Sequence, residues 1–251
     1  MPDRTFLLDW RKGGPALDEV MSVFIPLEKA SFVTPDNPRG DDRMDQMASL
    51  FFRWAMPDSR FEVYGEWGRG DHSWNYRDLI VEPEHASGFM AGMQKVSRGS
   101  PDGFWRFAAE LTVLGSARTT MLRAPASAFY VHHLIRQGYT QRGQVMGAGI
   151  GPGSSQASIG VHRFARWGMA GVRVQRTVLD NNRFYVLEQS FRRHEVEPAL
   201  GADLLLFRGA WDIVASATLA RLFNQHYIEE NDRDNVNLRL GLRYHSKRAS
   251  R

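Results

Sequence analysis

Between Val236 and Tyr244 the chain alternates strictly, and this pattern constrains the fold more than any other feature of the sequence. Val236, Leu238, Leu240, Leu242 and Tyr244 share one parity, while Asn237, Arg239, Gly241 and Arg243 share the other. A side-chain period of two belongs to a β-strand, so the aliphatic set takes one face and the polar set the opposite face. Two arginines on one face exclude a dry, unpaired core on that side. Nine residues also match the length of a tilted strand that crosses a bilayer, about 9 to 11.

The pattern recurs. Phe61, Val63, Gly65 and Trp67 alternate with Glu62, Tyr64, Glu66 and Gly68. Trp105, Phe107, Ala109, Leu111 and Val113 alternate with Phe104, Arg106, Ala108, Glu110 and Thr112. Leu50, Phe52, Trp54 and Met56 stand against Phe51, Arg53 and Ala55, and a tight turn at Pro57 to Arg60 places Arg53 beside Glu62 or Glu66. Weaker strand signals run over Gly88 to Val96, Ser158 to Phe164, Ala170 to Thr177, Phe184 to Phe191, Leu204 to Trp211 and Val214 to Phe223. Long connections are expected at Pro35 to Met47, Asp71 to His85 and Pro125 to Gln156. Leu17 to Ala30 is the best helical stretch, cut short by Pro26. Strand after strand without an intervening helical repeat argues against a parallel α/β architecture. The expectation is an all-β fold: one antiparallel transmembrane β-barrel domain of outer-membrane type, residues 1–251, as a partial barrel of roughly ten strands.

Composition is compatible with that reading. A barrel strand averages lipid-facing and interior-facing residues, so 43% hydrophobic content and a mean hydropathy of −0.40 fit a barrel and a water-soluble protein alike. No apolar run approaches the length of a membrane-crossing helix, roughly 18 to 20 residues. Met1 to Gly14 holds only Phe6, Leu7 and Leu8 where a secretion signal needs a longer apolar core. The chain is therefore expected either to be cytoplasmic or to lack its true start. The net charge of +4 is set against 28 acidic residues. That mixed surface does not point to nucleic acid. Without cysteine there is no disulfide framework or thiol chemistry.

The motifs that suggest catalysis fail on spacing. Gly147-Ala-Gly-Ile-Gly-Pro-Gly-Ser154 matches neither phosphate-loop template and lacks the lysine, so its glycines are expected to fold the segment back on itself or onto the wall. His132 and His133 are adjacent, and on a strand they point to opposite faces. No metal and no cofactor is expected. Glu62 and Glu66 lie about 13 Å apart along one strand, beyond the carboxylate separations of glycosidases, about 5 to 9.5 Å. Ion pairing explains the charges better, and Arg53, Glu62, Arg106, Glu110, Arg239 and Arg243 form an expected interior charge network. Arg69, Asp71 and His72, flanked by Trp67 and Trp74, combine aromatic faces with hydrogen-bonding groups. Sugar rings suit such a set, and so does an interfacial aromatic belt.

Three stretches together resemble one family. They are Phe61-Glu-Val-Tyr-Gly-Glu-Trp-Gly-Arg-Gly-Asp-His72, Glu82-Pro-Glu-His-Ala-Ser87, and Tyr130-Val-His-His-Leu-Ile-Arg-Gln-Gly-Tyr-Thr-Gln-Arg-Gly-Gln-Val-Met-Gly-Ala-Gly-Ile-Gly-Pro-Gly153. They are similar to the Wzi-like capsule-assembly proteins, over about Gln46 to the end, with residues 1–46 poorly matched. The resemblance implies the C-terminal part of an outer-membrane barrel of about eighteen strands. It also implies a largely occluded interior and an outer surface that binds capsular or extracellular polysaccharide without turnover. Gln141 stands where the family pattern leads one to expect histidine, and His245 to Arg251 continues past the final aromatic. The expected glycan contacts, chosen on chemistry, are Glu66, Arg69, Asp71, His72, Tyr139, Arg142 and Gln144. The expected partners are polysaccharide and outer-membrane lipid, with a monomeric chain. Two rivals remain: a diffusion channel or transporter on the same fold, and a soluble β-rich carbohydrate-active enzyme using Glu66.

Overall fold

A computed structural model describes residues 2–8, 35, 44–70, 76–81, 83–115, 129–131, 137–187 and 193–246. The expected helix at Leu17 to Ala30 falls outside them. The described chain is almost entirely β. Its strands are β1 (Pro2–Leu8), β2 (Met44–Met56), β3 (Phe61–Gly70), β4 (Ser87–Val96), β5 (Phe104–Val113), β6 (Thr140–Gln141), β7 (Gln144–Val145), β8 (Ser155–Ala165), β9 (Gly168–Val178), β10 (Val196–Arg208), β11 (Trp211–Leu222) and β12 (Arg233–Tyr244). Ten of them form one sheet in the order β1-β2-β3-β4-β5-β8-β9-β10-β11-β12, and β6 and β7 form a separate hairpin. Two short α-helices, α1 (Tyr76–Val81) and α2 (Asn181–Leu187), and a 3-10 turn at Gln225–Tyr227 complete the described elements. No described helix is long and apolar enough to cross a membrane.

Sequence expectations need correcting in several places. The stretch from Phe184 to Phe191, expected as a strand, begins inside α2. Asp180 redirects it: its Oδ1 accepts the Arg183 amide at 3.1 Å and its carbonyl accepts the Phe184 amide at 3.1 Å, which closes a helical turn. The expected strand Leu204 to Trp211 stops at Arg208, because Gly209 takes φ 57 and reverses the chain before Trp211 opens β11. The connection expected over Asp71 to His85 contains α1, that over Pro35 to Met47 already gives way to β2 at Met44, and that over Pro125 to Gln156 contains β6 and β7. β1 escaped notice, being short and interrupted by Asp3 and Arg4.

The chain divides into two compact units. One comprises Met1–Phe52, Glu66–Phe89 and Val113–Gly153, and the other Arg53–Gly65, Met90–Thr112 and Ser154–Arg251. In the second unit the ladders β8–β9, β9–β10, β10–β11 and β11–β12 are all antiparallel and in register. Cross-strand partners share a face, so the registers extend the parity of β12 across five strands. One face carries Ile159 and Val161, Val172 and Val174, Leu200 and Leu204, Ile213 and Leu219, then the β12 row. The other carries Ser158 and His162, Arg173 and Gln175, Asp203, Ser216 and Thr218, then Asn237, Arg239 and Arg243. Ser216 faces Arg239 and Asp212 faces Arg243.

Connections among these strands alternate in length. Arg166-Trp167 joins β8 to β9 and Gly209-Ala210 joins β10 to β11, whereas residues 179–195 and 223–232 make the intervening links. The same short-long rhythm precedes them in the chain, with residues 57–60 and 97–103 short and 71–86 and 114–154 long. The tight turns demand glycine. At Gly168 φ is +137, and a β-carbon there would lie 1.8 Å from the Leu205 carbonyl oxygen.

The buried apolar side chains avoid the middles of the strands. Among the described residues they are Ala86, Leu114, Phe129, Tyr139, Val178 and Phe184, all in connections or at strand ends. The aliphatic face stays open instead, with Leu238 76% and Leu240 74% exposed and Ile159, Val174 and Leu219 also exposed.

Candidate functional site

The polar face of the second unit is built by a device used twice. Tyr64 on β3 lies across Gly92 of β4, where a β-carbon would come within 2.3 Å of the ring, and its hydroxyl donates to Glu110 Oε2 on β5 at 3.0 Å. His162 on β8 lies across Gly171 of β9, where a β-carbon would come within 2.1 Å of the ring, and its Nε2 points to Asp203 Oδ2 on β10 at 4.0 Å. In both cases glycine gives a large side chain room to lie flat and reach a carboxylate two strands away. A guanidinium only donates, so Arg106 Nη2, 3.5 Å from His162 Nδ1, makes that nitrogen the acceptor and leaves the proton on Nε2, toward Asp203.

Of the expected interior network, Arg53 pairs with Glu62 at 2.5 Å, one of the two partners anticipated for it. Glu110 and Arg106 belong to the two clusters just described. Arg239 and Arg243 sit on the exposed edge strand β12, on the polar face. Sequence reasoning missed Tyr64, His162, Arg173 and Asp203. The glycines at 92, 171 and 201, spaced among polar residues of one parity, were the available signal. The polar face becomes apolar near the tight turns, where Phe104 stacks on Phe164 at 4.9 Å beside Met169, Leu205 and Phe207, around an open hollow of about 450 Å³.

In the first unit the segment after β5 folds onto the strands that precede it. The Phe129 ring packs over Gly68 of β3, where a β-carbon would lie 3.3 Å away, and over Gly88 of β4, at 3.2 Å. Tyr130, with φ 70, accepts the Tyr139 amide on its carbonyl at 3.0 Å, and its hydroxyl accepts the Ala148 amide at 3.0 Å. Gly147 lies beneath the same ring. Of the glycine-rich stretch, Gly147 packs against the Tyr130 ring of its own connection, whereas Gly149 and Gly151 border open space. Between these anchors β6 and β7 form a hairpin whose turn, Arg142-Gly143, has φ 52 and 78, both left-handed, as a two-residue hairpin loop requires.

The expected glycan contacts separate into distinct environments. Arg142 and Gln144 are exposed at the hairpin tip. Tyr139 is only 2% exposed, and Arg69 is buried where its Nη1 donates to the Pro83 carbonyl at 3.0 Å, an oxygen that also accepts Ser87 Oγ at 2.9 Å. Those two side chains hold the connections in place and are closed to a ligand arriving from solvent. Glu66 is half-buried on β3. Asp71 and His72 lie outside the described residues.

A third cluster, in the second unit, was not anticipated. Phe184 of α2 is 1% exposed and packs against His194 at 3.7 Å, Tyr185 at 5.1 Å and Tyr227 at 5.8 Å between ring centroids. The Tyr227 hydroxyl donates to the Asp180 carbonyl at 3.2 Å. Burial, reinforced by the charges of Asp180 and Glu195, pushes its phenol up to about 12. The 3-10 turn Gln225–Tyr227 that carries it has left-handed His226 and Tyr227, φ 62 and 59.

Among the described residues no group of three histidine, aspartate or glutamate side chains is placed to hold a metal ion. No protein-family model, curated protein or solved structure matches the chain.

Proposed function

We propose that this chain is an outer-membrane β-barrel protein that binds capsular or extracellular polysaccharide and helps to hold it at the cell surface, without catalysing its turnover. The uncovered aliphatic face of β8–β12 carries this reading. Five neighbouring strands present isoleucine, valine and leucine outward with no described element over them. Water penalises such a face by about 25 cal/mol for each Å² left exposed, whereas lipid tails accept it. The polar face behind it, with flat-lying Tyr64, His162 and Arg173, suits an enclosed, hydrated interior. The alternation of tight turns with long connections is the asymmetry of outer-membrane barrels, and the long connections supply room for a surface ligand. The resemblance of Tyr130 to Gly153 to capsule-assembly proteins supplies the polysaccharide.

The test is a cell fractionation joined to a capsule assay. The chain should float with outer membranes, resist carbonate extraction and migrate differently on gels before and after boiling, and cells without it should shed polysaccharide into the medium. Recovery in the soluble fraction, folded without detergent, would refute the membrane half of the reading.

The second reading is a diffusion channel. The cluster of Arg106, His162, Arg173 and Asp203 on the polar face favours it, because charged groups there select solutes when the interior is open. Conductance steps in planar bilayers are its signature, and polysaccharide binding without conductance selects the anchor.

A further inference from the structure

The ring cluster at α2 has an open side. Tyr185 is 44% exposed, yet it is held in place from several directions. Phe184 meets it edge-on at 5.1 Å and 80°, His194 meets it at 5.5 Å and 71°, and its hydroxyl lies 3.1 Å from His194 Nε2. Phe184 in turn is locked beneath His194 and Tyr227. An exposed aromatic usually sacrifices rotamer freedom on binding, about 0.5 to 1.5 kcal/mol per ordered side chain. Here the fold has already removed most of that freedom. Next along the chain to His194, Arg193 Nε forms an ion pair with Glu229 Oε2 at 3.8 Å, both side chains roughly half-exposed. The combination is a rigid aromatic plate with the His194 imidazole at its edge and an ion pair one residue along the chain.

We propose that the Tyr185 face, edged by Arg193 and Glu229, is a sugar-binding platform that takes one pyranose ring of an extended polysaccharide. A pyranose presents axial C–H groups on its face, which pack on the ring of Tyr185. Its equatorial hydroxyls lie around the rim, where the guanidinium donates and the carboxylate accepts. The position agrees with an extended ligand. Tyr185, Arg193 and Glu229 belong to the long connections of this unit, not to the tight turns at Arg166-Trp167 and Gly209-Ala210. This inference rests on the polysaccharide-binding reading and names the surface that performs it.

The experiment uses the full chain in detergent micelles on an array of purified bacterial capsular and exopolysaccharides, followed by titration with whichever polysaccharide the native sequence binds. Tyr185→Ala should weaken binding by about tenfold. Tyr185→Phe, which keeps the ring and loses only the hydroxyl, should stay within about threefold, and Arg193→Ala should fall between the two. Retained near-ultraviolet circular dichroism from the aromatic cluster confirms that each variant is folded. If the native chain binds a polysaccharide and Tyr185→Ala and Arg193→Ala both bind it equally well, the platform is overturned while the anchoring reading stands. If the native chain binds no polysaccharide on the array, the anchoring reading falls and the platform with it.

Discussion

The connections of this protein and its strands obey opposite rules. In the described residues of 179–195 and 223–232, Phe184 is enclosed by rings and the Tyr227 hydroxyl is hydrogen bonded, as in a protein that folds in water. In β8–β12, a few residues along the chain, Leu238 and Leu240 are 76% and 74% exposed with no described element over them. The connections bury apolar surface and the strands display it, the contrast that the proposed barrel would show with lipid around its strands and water around its links.

Four experiments can break or sharpen this contrast. The largest expected effect is local. Phe184→Ala should cost about 3 to 5 kcal/mol, read as lost hydrogen-exchange protection around Asp180 and α2 while amides of the β10–β11 ladder keep theirs. Equal loss in the ladder would show that connections and strands share one core. Leu240→Arg comes next. In lipid the charge should cost about 2 to 4 kcal/mol in urea unfolding from vesicles, whereas a water-facing site would move by no more than about 0.5 kcal/mol. Gly171→Val drives a branched side chain into the space of the His162 ring and should cost about 1 to 3 kcal/mol by overpacking. A neutral result would mean that the ring does not lie flat. The smallest effect is the alkaline one. The neutral phenol of Tyr227 is favoured in the fold, so its contribution is complete below the ordinary tyrosine value of 10.0 and is lost as pH rises through about 12. Absorbance titration should show a late phenolate that Tyr227→Phe removes; without that loss, the ring cluster is wetter than described.

The strands were legible because period two is a local signal that survives without neighbours. The row from Val236 to Tyr244 and the alternation at Phe104 to Val113 both sit in strands of the expected parity. Arg53 with Glu62 was also within reach, since a tight turn at Pro57 to Arg60 fixes which residues oppose each other. What escaped depended on distant partners. His162 meets Asp203 only because β9 places Gly171 between them, and no periodicity within β8 announces that. α2 escaped for a different reason: Phe184 to Phe191 has strand-like composition, and a single cap at Asp180 outweighs it. Tyr139 and Arg69 drew attention as sugar-binding types, yet burial turns both into struts.

On the proposed barrel reading, the glycine saddles at 92 and 171 bear on the width of the interior. A tyrosine or histidine seated across a saddle adds little height above the wall, while the same side chain standing upright would project several ångströms into the space it borders. Filling a saddle therefore acts like narrowing a pipe from a position that never touches the solute. In the proposed barrel, Gly92 and Gly171 are thus the places where one added methyl would change the calibre, while every charge on the wall remained in the sequence.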